Sequence, residues 1–359
     1  MSVTIKEIAR KTGLSIPTVG NVLGRSASRY SAETRKRVLS AAAELGYKPN
    51  ASARAMRQGR FGCAALVLSR SKQQTHSHIP NRLIDGLEDE LSLHDMHLTV
   101  SRLTDEELST NDFVPKVLRE HMADGMIVNY THEIPPAMLE LIRAHHTPAV
   151  WLNAKLEADC VYPDDYGAAR SATQHLLSLG HRRIALVHMM TPFELYPTFE
   201  ASWASRHYSV TDRAAGYSDA LAAAGLQPRI LAHDRFIDDS EQFQACSALL
   251  SGHDRPTAVL IYSEGEFGSI ACAAKVLGLQ IPRDLSLLIF APTRMSLAGD
   301  RITNIAIPTE RMGRCAVQML LKKMALPDLI CEPEAIAYGI ADEKTSVGPA
   351  PVNSHALTT

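Results

Sequence analysis

The chain has 359 residues, enough for two or three domains, and with 45% hydrophobic and 21% charged residues it can bury a sizeable core. Its formal charge of -2 hides a division: residues 1–60 hold twelve Lys and Arg against three acids, a formal +9, while the remainder holds twenty-five basic and thirty-six acidic residues, -11. A basic head on an acidic body points to a polyanion-binding module joined to one that binds no polyanion.

No apolar run approaches the roughly 20 residues of a membrane span. The opening stretch Met1–Glu7 is polar and charged where a signal peptide would be apolar. Six scattered cysteines without a Cys-x-x-Cys pair argue against a zinc module and for buried thiols in a reducing compartment. The expectation is a cytoplasmic protein with no metal and no cofactor.

Thr4-Ile5-Lys6-Glu7 has the form of a capping box, in which Thr4 and Glu7 each bond the other's amide, and it opens a helix with Ile5, Ile8 and Ala9 on one face, ending at Gly13. Ser15 then serves as the cap of a second helix with Pro17 in its first turn, where a missing N–H costs little, and Val19, Val22 and Leu23 inward. A third helix begins at Ser31, runs through Val38, Ala41, Ala42 and Leu45, and stops at Gly46. Two short helices across a Gly13-Leu14 turn, backed by a third in a basic setting, form a helix-turn-helix. A generic three-helix bundle with a solvated basic face is the weaker reading, because +9 over sixty residues is unusual.

The order and spacing of Val3–Ala9, Ser15–Val19, Ser31–Arg35 and Gly46–Asn50 closely resemble the head of the lactose-repressor (LacI/GalR) family of bacterial transcription regulators. The resemblance continues more weakly to about residue 342. It implies a small all-α helix-turn-helix head over residues 1–47, a hinge helix over 48–60 and an α/β two-lobed, periplasmic-binding-protein-like effector domain with parallel sheets over 61–342. A loose tail would follow at 343–359. It also implies a homodimer on a near-palindromic double-stranded operator.

By that resemblance Ile16 and Pro17 occupy the main base-reading positions and Asn21 lies a turn later. The two apolar side chains can touch thymine methyls, and Asn21 can bond adenine in bidentate fashion. The family usually has Ser-Arg where this chain has Gly20-Asn21, so a guanine-reading arginine is missing. Thr4, Ser15, Thr18, Arg29, Ser31, Thr34 and Tyr47 read as phosphate contacts that set register. Residues 50–58, with Asn50, Ala53 and Met56 placed on DNA, would form the hinge helix, and Met56 would be its minor-groove wedge. Nine residues are marginal as an isolated helix, so the hinge would fold when two copies meet.

Beyond residue 60, apolar runs at 63–69, 98–102, 125–128, 149–152, 184–188, 258–262 and 285–290 alternate with helical stretches at 81–93, 113–120, 136–145, 168–179, 214–224 and 267–278. Such alternation predicts parallel sheets with helices on both faces, and the length suggests two lobes with a ligand cleft between them. The family resemblance implies three chain crossings, with residues 61–160 and 291–322 in one lobe and 161–290 and 323–342 in the other.

For the small-molecule effector, a carbohydrate or derivative, the same resemblance implies Arg213, three residues before Gly216. It adds Asn129 and Asn153 at strand ends, Phe236 as an aromatic platform, and Glu264. A guanidinium fork suits vicinal hydroxyls or a carboxylate. The two asparagines equally suit turns. Ser263-Glu264 replaces the family's Asn-Asp, and Ala291 replaces an effector-binding aspartate, which points away from a common hexose. Phe193, Tyr196, Phe199, Trp203 and Tyr208 make residues 189–210 a candidate lid, with a local satellite core as the alternative.

Histidine pairs such as His76-x-His78 and His94-x-x-His97 lack partners at metal-ligand spacing. No nucleophile elbow, phosphate-binding loop or dinucleotide fingerprint occurs, so the expectation is a regulator and not an enzyme. An effector-independent or nucleobase-responsive DNA-binding protein is the alternative.

Overall fold

The computed structural model describes residues 3–24, 27–48, 60–70, 80–104, 123–129, 136–189, 207–233, 237–297, 300–341 and 346–351. The chain forms two compact units, Met1–Gly62 and Cys63–Thr359. Among the described residues no helix is long and apolar enough to cross a membrane.

The first unit holds α1 (Ile5–Thr12), α2 (Ile16–Val22), a short 3-10 turn (Ala27–Arg29) and α3 (Ala32–Glu44). Gly13 takes φ 64, a left-handed stop that turns the chain from α1 into α2. Ile8, Val19 and Val38 are fully buried and meet Val22, Ala41 and Ala42 in one small core. Ser15 Oγ accepts the Thr18 N–H at 3.1 Å, and Ser31 Oγ accepts the Thr34 N–H at 3.2 Å. At α1 the Glu7 carboxylate accepts from both the Thr4 N–H (2.7 Å) and the Thr4 hydroxyl (3.0 Å). These bonds, the backbone one first, hold the Glu7 carboxyl below its ordinary range.

Among the described residues the second unit contains two six-stranded sheets and a separate antiparallel pair, β10 (Ser296–Leu297) with β11 (Asp300–Arg301). The strands of the first are β1 (Cys63–Arg70), β2 (His97–Thr104), β3 (Gly125–Asn129), β4 (Ala149–Leu152), β5 (Cys160–Pro163) and β13 (Glu334–Ile336), in the order β13-β5-β4-β3-β1-β2, all parallel. Side-chain alternation splits β1 between two cores. Ala64, Leu66 and Leu68 pack with the helices α4 (Asn81–Leu93) and α10 (Thr309–Ala325), whereas Ala65 and Val67 pack with Trp151 and with Ile142 of α5 (Pro136–Ala144). Both faces being covered, the strands read as unbroken apolar runs.

The second sheet runs β14 (Gly339–Ala341), β12 (Asn304–Ala306), β9 (Ser286–Ala291), β8 (Ala258–Ile261), β6 (Ile184–His188), β7 (Ile230–Ala232). Only β14 is antiparallel to its neighbour. One face packs against α8 (Asp239–Leu250) and α9 (Glu264–Val276), the other against α6 (Asp165–Ser178) and α7 (Tyr208–Ala223).

The lobe borders drawn at 160/161, 290/291 and 322/323 are corrected by the strand ladders. β5 keeps residues up to Pro163 in the first sheet, and β12 pairs with β9, which keeps residues up to Ala306 in the second. α10 packs on α4 and the first sheet, and β13 extends that sheet beside β5, so the last crossing lies between Ile336 and Gly339.

The tail is also not uniformly loose. Ser346 and Val347 are buried, and the Leu287 N–H donates to the Ser346 carbonyl at 2.8 Å. Ser346 Oγ accepts from the Thr303 N–H (2.8 Å) and donates to the Leu287 carbonyl (2.7 Å). Farther on, the Gly348 carbonyl lies 3.0 Å from Nε2 of the fully buried His181. Ser346→Ala strands a buried donor and acceptor, so its expected cost is about 2 kcal/mol in a urea unfolding curve.

Candidate nucleic-acid interface and inter-lobe site

Capping fixes how α2 presents itself. Val19 and Val22 turn into the head core, which leaves Ile16 (47% exposed), Pro17 and Asn21 outward on one side. The side chains of Ser15, Thr18, Ser31 and Thr34 sit at the starts of α2 and α3, where hydroxyl groups already cap the helix and the exposed amides favour an anion. Arg29 is exposed on the 3-10 turn, and Tyr47 and Tyr30 lean on the core. Asn50, Ala53 and Met56 lie outside the described residues.

In the second unit, Arg213 gathers a buried polar cluster beside the crossings between lobes, near Asp165 and Tyr338. Gly216 permits it: a methyl group there would overlap the Tyr166 carbonyl, so the glycine lets α7 close on α6 and brings Arg213 onto Asp165. Arg213 Nε donates to Asp165 Oδ1 at 2.6 Å, Nη1 to the Tyr262 carbonyl at 2.6 Å, and Nη2 to the Tyr338 hydroxyl at 3.2 Å. The Tyr338 hydroxyl itself donates to Asp165 Oδ1 at 2.7 Å. The guanidinium also lies 4.1 Å from the Phe290 ring centroid and 4.6 Å from that of Tyr262. Burial works against its charge, but the Asp165 carboxylate outweighs it and holds the proton more firmly than in water.

Around this pair are buried groups with displaced proton affinities. Burial lowers His188 to about 4, helped by the Arg213 charge, and its ring meets Tyr262 edge-on at 4.3 Å. Burial raises Glu266 to about 7 even though Ser263 donates to it from both amide and hydroxyl. Burial likewise pushes the Tyr262 and Tyr338 phenols up.

Asn129 ends β3 and is buried, with Oδ1 lacking a partner among the described residues, as does Asp165 Oδ2. Asn153 follows β4 with φ 58, a backbone state asparagine tolerates, and accepts from the Tyr208 hydroxyl at 3.3 Å. That bond and the Lys155 Nζ–Asp212 Oδ2 pair (2.7 Å) join a loop of the first lobe to α7 of the second. Glu264 is exposed in the first turn of α9 and accepts from the Thr293 hydroxyl at 3.3 Å, so the carboxylate buried near Arg213 is Glu266 instead. Phe236, Phe193, Tyr196, Phe199 and Trp203 lie outside the described residues. Of the aromatic segment, Tyr208 is placed, edge-on to Tyr162 at 5.7 Å.

Sequence reasoning missed Asp165, Tyr262, Phe290 and Tyr338. Asp165 carried a signal: an acid at the start of a helix, following Asp164, whose side chain caps α6 by accepting the Gly167 N–H. The three rings carried none, since they gather only when four separate strands and helices close. A cavity of about 470 Å³ lies elsewhere in the first lobe, beside Ile142, Trp151 and Leu156, away from this cluster. Among the described residues no group of three His, Cys, Asp or Glu side chains is arranged to hold a metal ion.

Residues 4–50 match the family model of bacterial regulatory proteins of the lacI family, and residues 173–337 match a periplasmic binding protein-like domain. The chain is 28% identical over 321 residues to the HTH-type transcriptional regulator DegA of Bacillus subtilis (strain 168), covering 87% of this chain and 89% of that one. The solved lac repressor dimer bound to operator and the anti-inducer ONPF has a similar fold, with a TM-score of 0.72, 21% identity, and coverage of 97% of this chain and 100% of that chain. A complex of the transcriptional regulator CelR with cellobiose has a TM-score of 0.58 at 22% identity, over 94% of this chain and 98% of the other. The helix-turn-helix head, the parallel two-sheet body and these relatives agree: the chain is a DNA-binding transcription regulator of the LacI/GalR family.

Proposed function

We propose that the chain is a homodimeric repressor whose hold on a near-palindromic operator is set by a small polar molecule, a carbohydrate or derivative, bound between the two lobes. The observation that carries this is the Arg213 cluster. It sits beside the ends of β8 and β9, near the junction bridged by Tyr208–Asn153 and Lys155–Asp212, where open α/β sheets receive ligands. Asn129 Oδ1 and Asp165 Oδ2 supply acceptors for hydroxyl donors. CelR, of similar fold, was solved with cellobiose. Thr4, Ser15, Thr18, Arg29, Ser31, Thr34 and Tyr47 would hold phosphates, and Ile16, Pro17 and Asn21 would face base edges. Asn50, Ala53 and Met56 would enter the minor groove. Phe236 and Glu264 would border the ligand.

A flat, base-like ligand is the second reading. It is favoured by the rings of Tyr262, Phe290 and Tyr338 around an arginine already engaged at Nε, Nη1 and Nη2.

Operator recovery from random duplexes, followed by fluorescence anisotropy with mono- and disaccharides and with nucleobases, tests both. A ligand that shifts operator affinity about 5- to 150-fold supports effector control and names its class. Unchanged affinity across both panels rejects it. With six or more phosphate contacts, operator affinity is expected to fall about a thousandfold or more between 50 and 200 mM salt. A nearly flat salt dependence would contradict the basic head as the binding module.

A further inference from the structure

The recognition helix carries one side chain able to make a bidentate hydrogen bond to a base, and that side chain is held from behind. Asn21 Nδ2 donates to the Tyr30 hydroxyl at 3.0 Å. Tyr30 leads from the 3-10 turn into the Ser31 cap of α3, and its ring packs on the head core with Leu23 and Tyr47. The phenol oxygen is therefore a fixed point, anchored by the core and independent of DNA. Asn21 is itself exposed, beside Pro17 and the bare Gly20.

We infer that Tyr30 is a positioning residue that sets the Asn21 carboxamide to read adenine. The argument is one of donors and acceptors. The carboxamide has two N–H groups and one carbonyl. With one N–H given to Tyr30, one N–H and the carbonyl oxygen stay free, side by side. That pair complements the N7 acceptor and N6 donor of adenine in the major groove. Guanine offers two acceptors there and meets only half of it. Turned over, the carboxamide would take the Tyr30 hydroxyl as a donor and present two amide hydrogens, which suit guanine. In the structure the amide nitrogen faces the phenol, the orientation that leaves a donor and an acceptor for adenine. Ile16 and Pro17, which can offer only apolar contact, leave Asn21 as the polar reader of the exposed face, and the inference rests on α2 being the DNA-reading helix.

The test is site selection by the full-length protein, Asn21→Ala and Tyr30→Phe from random duplexes at one salt concentration. The wild type is expected to require adenine at one position of each half-site, and Asn21→Ala to lose that preference alone. Tyr30→Phe should reduce it about fivefold or more, admitting guanine, while the other positions and the salt dependence hold. Guanine at the wild-type position, a Tyr30→Phe profile identical to wild type, or a uniform weakening at all positions would overturn the assignment. If Asn21→Ala leaves every position unchanged, the role of α2 itself is wrong, a separate failure. A second measurement needs no folded variant: replacing the selected adenine by 7-deazaadenine removes the N7 acceptor and should weaken wild-type binding about tenfold. No loss would also overturn the inference.

Discussion

Arg213→Met is expected to destabilise the protein by about 3–5 kcal/mol, the largest effect of any single substitution proposed for the described residues. The reason is what it leaves behind. Asp165 Oδ1 is buried and accepts from Arg213 Nε at 2.6 Å, while Oδ2 has no partner among the described residues. Without the guanidinium, the buried carboxylate keeps one bond from Tyr338 and loses its countercharge. Asp165→Asn should cost about as much, because it leaves a buried cation against Phe290 and Tyr262. The double variant Asp165→Asn/Arg213→Met removes both charges and should lie closer to wild type than either single variant. Chemical unfolding of the four proteins forms a double-mutant cycle. Additive losses would show that the pair is not a coupled unit.

Glu266 and His188 make opposite contributions to stability as pH changes, and single substitutions should separate them. The Glu266 carboxyl rises from 4.5 to about 7 on folding. Its folded form is at no disadvantage below pH 4.5, and stability is then lost as pH rises through 7, to a limit of about 3 kcal/mol. His188 falls from 6.5 to about 4 on folding. The unfolded chain therefore binds a proton that the folded one refuses, and stability is gained as pH rises from 4 to 6.5, by a similar amount. In the wild type the two slopes oppose each other over about pH 4.5–6.5. Glu266→Gln should keep the Ser263 bonds, gain about 3 kcal/mol at pH 8 relative to wild type, and show the rising histidine slope uncovered. His188→Asn should instead show stability falling between pH 4.5 and 7. Thermal unfolding across pH 4–8 measures both; parallel curves for wild type and Glu266→Gln would mean that the carboxylate is not desolvated by the fold.

Local chemistry was legible directly from the residues. The caps at Ser15 and Ser31, the Gly13 stop, and the strands at 149–152 and 184–188 depend on neighbours within a few positions, so the order of residue types states them. The basic head was equally legible because charge is additive along a chain. α8 escaped, since its apolar positions give only a weak face, and so did the short strands β5, β7, β12, β13 and β14. Those strands are three or four residues long, and their identity comes from the strand already waiting beside them.

The site divides the same way. Arg213 is singled out in the sequence only through the family resemblance, in which an arginine stands three residues before a glycine; the structure gives that glycine a packing role, since it is what lets α7 approach α6. The partners of Arg213 could not be read. Asp165, Tyr262, Phe290 and Tyr338 are separated by dozens of residues, and each is an unremarkable acid or ring until the chain crosses between lobes for the third time. Glu264 illustrates the limit: two positions of helical rotation decide that it faces solvent while Glu266 faces the core. Sequence determined the longer strands, most of the helices, their caps and the charge of each module, because those follow from local hydrogen bonding and composition. Tertiary structure alone decided which carboxylate meets the arginine and where the lobes divide, because burial and long-range pairing set those choices.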